Sequence, residues 1–142
     1  MVTAVIALSC AGCGGGGEPA GDATPPTITA VRADVPIGFN FTGGNVAVSA
    51  SVTDNVAVAS VRTRVFKDGT ELSPLGLTLK SGSTYGGVYA VPGNATAKAQ
   101  TYSVRVWAQD TSGKTAESSS VSFSVPPAGG EIPPLPPAPG SR

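Results

Sequence analysis

An all-β protein, folded as a seven-stranded antiparallel sandwich, is what this sequence predicts, on three observations. Apolar residues recur at every second position in short runs, turn residues close each run, and no stretch between residues 27 and 125 carries a 3.6-residue apolar period. Helices are therefore not expected.

The elements follow in order. Thr27 to Val31 is the first strand. Val46, Val48, Ala50 and Val52 alternate with Ala47, Ser49, Ser51 and Thr53 in the second, which stops at Asp54-Asn55. Val61, Thr63 and Val65 alternate with Arg62, Arg64 and Phe66 in the third, which stops at Lys67-Asp68-Gly69. Leu75, Leu77 and Leu79 make a fourth, ended by Ser81-Gly82-Ser83, and Tyr85 to Val91 a fifth, stopped by Pro92-Gly93-Asn94. Tyr102, Val104, Val106 and Ala108 alternate with Ser103, Arg105, Trp107 and Gln109 in the sixth, which turns at Asp110-Thr111-Ser112-Gly113. Val121, Phe123 and Val125 alternate with Ser120, Ser122 and Ser124 in the last. Strands with one apolar and one polar face are what two antiparallel sheets packed face to face require.

Around this body, composition sets the boundaries. Residues 14–26 (GGGGEPAGDATPP) form a Gly/Pro-rich tether too poor in apolar surface to order itself. Residues 126–142 are a Pro-rich tail, expected to be disordered and polyproline-like, in which Pro136-Pro137-Ala138-Pro139 reads as spacer. That leaves residues 27–125 as the folded domain. Asn40-Phe41-Thr42 and Asn94-Ala95-Thr96 fit the glycosylation sequon but read as loop residues.

The 142 residues include no histidine, 9 Lys+Arg and 9 Asp+Glu, with formal net charge +0. No basic stripe exists to displace counterions from phosphates, so nucleic acid is not an expected partner. The usual general base near neutral pH is missing, as are zinc sites of His type. Both cysteines, Cys10 and Cys13, precede the folded body, which therefore has neither a thiol nucleophile nor a disulfide.

At the N-terminus, the apolar run Val2 to Leu8 leads into Leu8-Ser9-Cys10-Ala11-Gly12-Cys13 and then Gly14 to Gly17. The run is too short to span a bilayer. It resembles the export signal and lipobox of bacterial lipoprotein precursors, residues 1–13, with Cys13 as the lipidated cysteine and Cys10 as the alternative frame. The resemblance implies a membrane anchor and a position in the bacterial cell envelope, facing the periplasm or the exterior. A Cys10–Cys13 redox pair is the competing reading, but no flanking βαβ pattern supports it.

The stretches TPPTITAV (24–31), VSASVTDNVAVASVRTRV (48–65), YGGVYAVPGNAT (85–96) and TYSVRVWAQDTSGKTA (101–116) resemble bacterial immunoglobulin-like domains, which are also similar to fibronectin type III repeats. The resemblance implies the sandwich fold and leaves function open, since such modules adhere, bind or space. It also places Tyr102 as a structural corner tyrosine whose hydroxyl bonds nearby backbone. In that topology the turns at Asp54 and Asp110 share one end of the sandwich with Asp22. Oxygen ligands gathered there suit calcium, as in cadherin-like relatives of the fold; ordinary Asx-turn chemistry is the alternative, and the sparse carboxylates favour it.

Strand parity supplies the last candidate. With the valines inward, Arg62, Arg64 and Phe66 face outward on the third strand, and Arg105 and Trp107 on its neighbour, the sixth. Such a face suits a glycan or an anionic protein partner, unless the arginine stems merely cover Trp107. The sequence thus points to a monomeric, lipid-anchored, non-catalytic binding or adhesion module that needs no cofactor. A purely structural envelope spacer is the alternative. An enzyme is not expected, because no catalytic constellation is visible.

Overall fold

A computed structural model describes residues 21–129, and every regular element among them is a strand. The elements are β1 (Thr27–Asp34), β2 (Gly44–Thr53), β3 (Val58–Lys67), β4 (Thr70–Glu71), β5 (Leu75–Ser81), β6 (Thr84–Val91), β7 (Gln100–Asp110), β8 (Thr115–Glu117) and β9 (Val121–Val125). Cys10 and Cys13 lie outside the described residues, as do most of the segments 14–26 and 126–142.

All pairings are antiparallel, and hydrogen bonding runs in the order β1-β2-β6-β5-β3-β7-β8, with β4 on β3 and β9 on β7. The sheet folds over at β5, which serves both layers. Its Leu75 and Leu77 lie opposite Thr63 and Val61 of β3, while its Thr78 and Leu79 lie opposite Gly86 and Tyr85 of β6. One layer is then β1, β2 and β6, and the other β3, β7, β8 and β9.

Between the layers sits the core that alternation predicts. Val46, Val48, Ala50 and Val52 of β2 face Val61 and Val65 of β3 and Tyr102, Val104, Val106 and Ala108 of β7, all buried. Each buried valine contributes roughly 1.5–3 kcal/mol relative to an exposed one, so these rows hold the layers together. Thr63 sits in the same row and is fully buried, its hydroxyl accepting from Leu75 N at 3.1 Å.

Two features of the strands depart from simple alternation. β1 carries a bulge: Thr29 faces Ser51 and Arg32 faces Ser49, so Ala30 and Val31 together oppose Ala50. Ala30 takes φ 50°, and the inward set becomes Ile28, Val31 and Ala33, which prolongs the strand beyond its expected end at Val31. In β5 the row Leu75, Leu77, Leu79 does not stay inside, for Leu79 is 55 % exposed. Where β5 passes from β3 to β6 it leaves the space between the layers, so its last leucine finds no opposite face.

Two short strands join the seven expected. β4 follows a two-residue turn in which Asp68 (φ 48°) and Gly69 (φ 85°) both adopt positive φ, the geometry that an Asp-Gly hairpin requires. β8 and β9 together form one broken edge strand along β7. At the break, Ser118 N donates to Val106 O at 2.9 Å and Val106 N donates to the Ser118 hydroxyl at 2.9 Å, so a side chain replaces the missing backbone partner.

Candidate functional site

The register of β3 against β7 sets Arg62 opposite Trp107, Arg64 opposite Arg105 and Phe66 opposite Ser103, on the face turned away from the core. Two arginines directly across a ladder repel each other. The short strands relieve this from either side: β4 supplies Glu71 and β8 supplies Glu117. Arg64 binds Glu71 through Nε and NH2, both at 2.8 Å, and reaches Glu117 at 3.3 Å, while Arg105 approaches Glu117 at 3.6 Å. The hydrogen bond from Arg64 holds the Glu71 carboxyl below its ordinary range.

Trp107 and Phe66 divide this face into two parts. The Arg62 guanidinium lies 4.1 Å over the Trp107 ring, so the half-buried indole is covered by the very side chain that the sequence places beside it. Phe66 is flanked more loosely, by Arg64 at 5.3 Å and Arg105 at 5.7 Å. Beside it opens a groove of about 470 Å³ lined by Arg64, Phe66, Asp68, Thr101, Ser103 and Arg105. Asp68 fixes the groove's floor, since its N–H donates to Thr101 O at 2.8 Å and its Oδ1 accepts from Thr101 N at 2.9 Å. The five face residues are thus brought together, but the opening lies at Phe66 and not at the tryptophan.

Asp22, Asp54 and Asp110 meet at the other end of β3 and β7. A carboxylate oxygen from each lies within 4.8 Å of one from both others. Asp110 is the last member of the inward row of β7 and is 2 % exposed; the other two are half-buried. Each uses one oxygen to order its own loop. Asp22 Oδ1 accepts from Thr24 N and Asn55 Nδ2, Asp54 Oδ2 from Val56 N and Ala57 N, and Asp110 Oδ1 from Ser112 N and Lys114 N, at 2.8–3.0 Å. The bonds from Thr24 and then Asn55 hold the Asp22 carboxyl below its ordinary value.

Tyr102 departs from the expected corner role. Its ring is fully buried and stacks on Phe123 with centroids 5.3 Å apart and planes at 4°, yet its hydroxyl meets no hydrogen-bond partner among the described residues. Inward parity carries the ring between the layers, away from the backbone that a corner tyrosine would reach. Burial pushes the phenol pKa up. Because removal of a buried, unpartnered hydroxyl leaves nothing unpaired, Tyr102→Phe should leave the melting temperature unchanged or raise it; a drop of several degrees in thermal denaturation would reveal a hidden bond.

Sequence reasoning missed Asn94, which is 1 % exposed and replaces the tyrosine as the tie at this end. Its Nδ2 donates to Lys98 O, Val125 O and Pro126 O, and its Oδ1 accepts from Thr96 N and Thr96 Oγ1. The β6–β7 loop is thereby pinned to the end of β9. Glu71 and Glu117 were missed as well; the Asp-Gly turn signal, read as a two-residue hairpin, would have set Glu71 across from Phe66. Nothing in Thr115-Ala116-Glu117 alternates, so Glu117 left no comparable trace.

No family model matches the chain, and no curated protein matches it. Among solved structures it is similar to part of an engineered protein determined as a structural genomics target, at 23% identity and a TM-score of 0.46, over 72% of this chain and 20% of that one. The chain therefore spans one fifth of that structure's length.

Proposed function

We propose that this protein is a non-catalytic binding module of the bacterial cell envelope, anchored through lipid on Cys13 and binding an anionic glycan in the groove beside Phe66. The single observation that carries the binding reading is that groove, where a half-buried aromatic ring lies within 6 Å of two guanidiniums. A sugar ring's C–H face stacks on such a ring, and hydroxyls of Thr101 and Ser103 with the Asp68 carboxylate line the same opening. Arg105 is the group for a ligand carboxylate: Arg64 is held bidentate by Glu71, whereas the one carboxylate Arg105 meets among the described residues is Glu117, at 3.6 Å. The anchor rests on the lipobox-like sequence.

Placement agrees with this reading. Thr27, where the chain enters the sandwich, faces Thr53 at the aspartate end. Phe66 and Thr101 lie at the opposite end of β3 and β7, and eleven residues of β7 span roughly 35 Å at about 3.3 Å each. A tethered body would hold the groove on its far side.

The test is titration of the full chain against a panel of neutral and uronic-acid polysaccharides. Phe66→Ala and Arg105→Ala should each weaken binding about tenfold, the loss of roughly 1.4 kcal/mol, without changing the β-sheet circular dichroism. Unchanged, parent-level affinity in both variants would refute the groove.

A spacer reading is favoured by one observation, that Arg62, Arg64 and Arg105 all have partners within their own face. It requires that no polysaccharide or envelope protein bind saturably.

A further inference from the structure

We propose that Asp22, Asp54 and Asp110 form a calcium site that fastens the segment entering the sandwich to the turns after β2 and β7. Three carboxylates alone would be an ordinary acidic cluster. What distinguishes these is the disposition of their oxygens. In each group one oxygen is committed to two N–H donors, all from the acid's own loop except Asn55 Nδ2 on Asp22, and the other, Asp22 Oδ2, Asp54 Oδ1 and Asp110 Oδ2, is buried without a partner among the described residues. Asp110 belongs to a side chain 2 % exposed, where an ionised oxygen left unpaired carries the full cost of lost hydration. Three carboxylates with oxygens within 4.8 Å of one another also repel. A cation among them removes both costs at once.

The chemistry of the donors selects the ion. All are oxygens, and no histidine exists in the chain, so metals that prefer nitrogen or sulfur are poorly served. Oxygens on opposite sides of a calcium ion stand about 4.6–5.2 Å apart, twice the usual Ca–O distance, and the convergence within 4.8 Å fits that sphere. Magnesium would draw the same oxygens to about 4.0–4.2 Å and prefers to keep its waters. The remaining positions are left to water, while Asn55 Nδ2 holds Asp22 in place.

The three ligands come from separate parts of the chain. Asp54 and Asp110 belong to turns already fixed by β2, β3 and β7, whereas Asp22 precedes β1 and is joined to the body by its bond from Asn55. An ion there couples the incoming segment to both layers. This inference is independent of the glycan groove at the opposite end.

To test it, the full chain is stripped with chelator and its thermal unfolding followed with added calcium or magnesium, alongside isothermal titration with calcium alone. With three carboxylates, calcium should bind with Kd on the order of 10⁻⁴–10⁻³ M. At 10 mM it should raise the melting temperature by about 5–10 °C. Asp54→Asn and Asp22→Asn should each abolish that rise while keeping the β-sheet spectrum in chelator. Asp22→Asn guards against misfolding, because it lies outside every strand. A melting temperature unmoved by calcium, an equal response to magnesium, or an undiminished rise in both variants would overturn the assignment.

Discussion

Replacing Asn94 by Asp is expected to lower stability by about 3 kcal/mol or more, read as an early midpoint in urea unfolding. The change is nearly isosteric, so packing is kept and the Oδ1 bonds from Thr96 N and Thr96 Oγ1 survive. What is lost is the amide nitrogen, which donates to Lys98 O, Val125 O and Pro126 O from a site 1 % exposed. An oxygen in its place faces three carbonyls. If it stays ionised it is a buried charge among negative dipoles; if it takes a proton it can serve one carbonyl and leaves two unpaired. Since such a carboxyl has its folded pKa raised, the penalty is smaller at pH 4 than at pH 7, the sign opposite to that of a salt-bridged acid. Asn40 provides the control. It makes the same turn, with Oδ1 accepting from Thr42 N and Thr42 Oγ1, but it is exposed and its nitrogen donates to no group among the described residues, so Asn40→Asp should cost little. A midpoint for Asn94→Asp equal to that of Asn40→Asp would show that the amide nitrogen holds nothing.

The contrast between these two asparagines also marks the limit of what the chain reveals before it is folded. Both read as the same Asn-x-Thr motif; only the arrival of β9 beside the β6–β7 loop makes one a buried tie. Inward rows were legible because period-two alternation is local: Val46 to Val52, Val61 to Val65 and Tyr102 to Ala108 fall inside as their spacing demands. Extending the last row by one step places Asp110 inside too, and this is the feature that turns a surface cluster of acids into a candidate ion site. Parity likewise set Arg62, Arg64, Phe66, Arg105 and Trp107 on one face. It offered arginine cover over Trp107 as one of two readings without saying which arginine supplies it, and it could not tell that β4 and β8 bring Glu71 and Glu117 to opposing arginines, because pairing partners are fixed by tertiary register. Leu79 failed for the same reason, since alternation reports a strand's own period and not whether a second layer lies above it.

A second large loss is expected from Gly43→Ala, again about 3 kcal/mol or more. Gly43 adopts φ +75°, where an L-residue costs roughly 1–2 kcal/mol. A methyl group there would also overlap the carbonyl oxygen of Val91 and stand 2.7–2.8 Å from the carbonyl of Pro92. Those atoms are backbone at the end of β6, so relief requires the strand end to move. Gly82 separates the two causes. Its φ is +53° but no atom lies within 4 Å of its would-be methyl, so Gly82→Ala should show the backbone cost alone. Comparable midpoints for the two variants in urea unfolding would mean that the Val91 and Pro92 carbonyls yield freely. The site also bears on Asn94, because the Asn40–Gly43 turn closes on the loop that Asn94 ties: Asn94 N donates to Phe41 O at 2.7 Å, and Gly43 N to Asn40 O at 3.0 Å. Displacement of Pro92 by the methyl would loosen the loop before Asn94 is touched. The costs of Gly43→Ala and Asn94→Asp should therefore fall short of additivity by about 0.5–3 kcal/mol in the double variant, as for neighbours sharing one network.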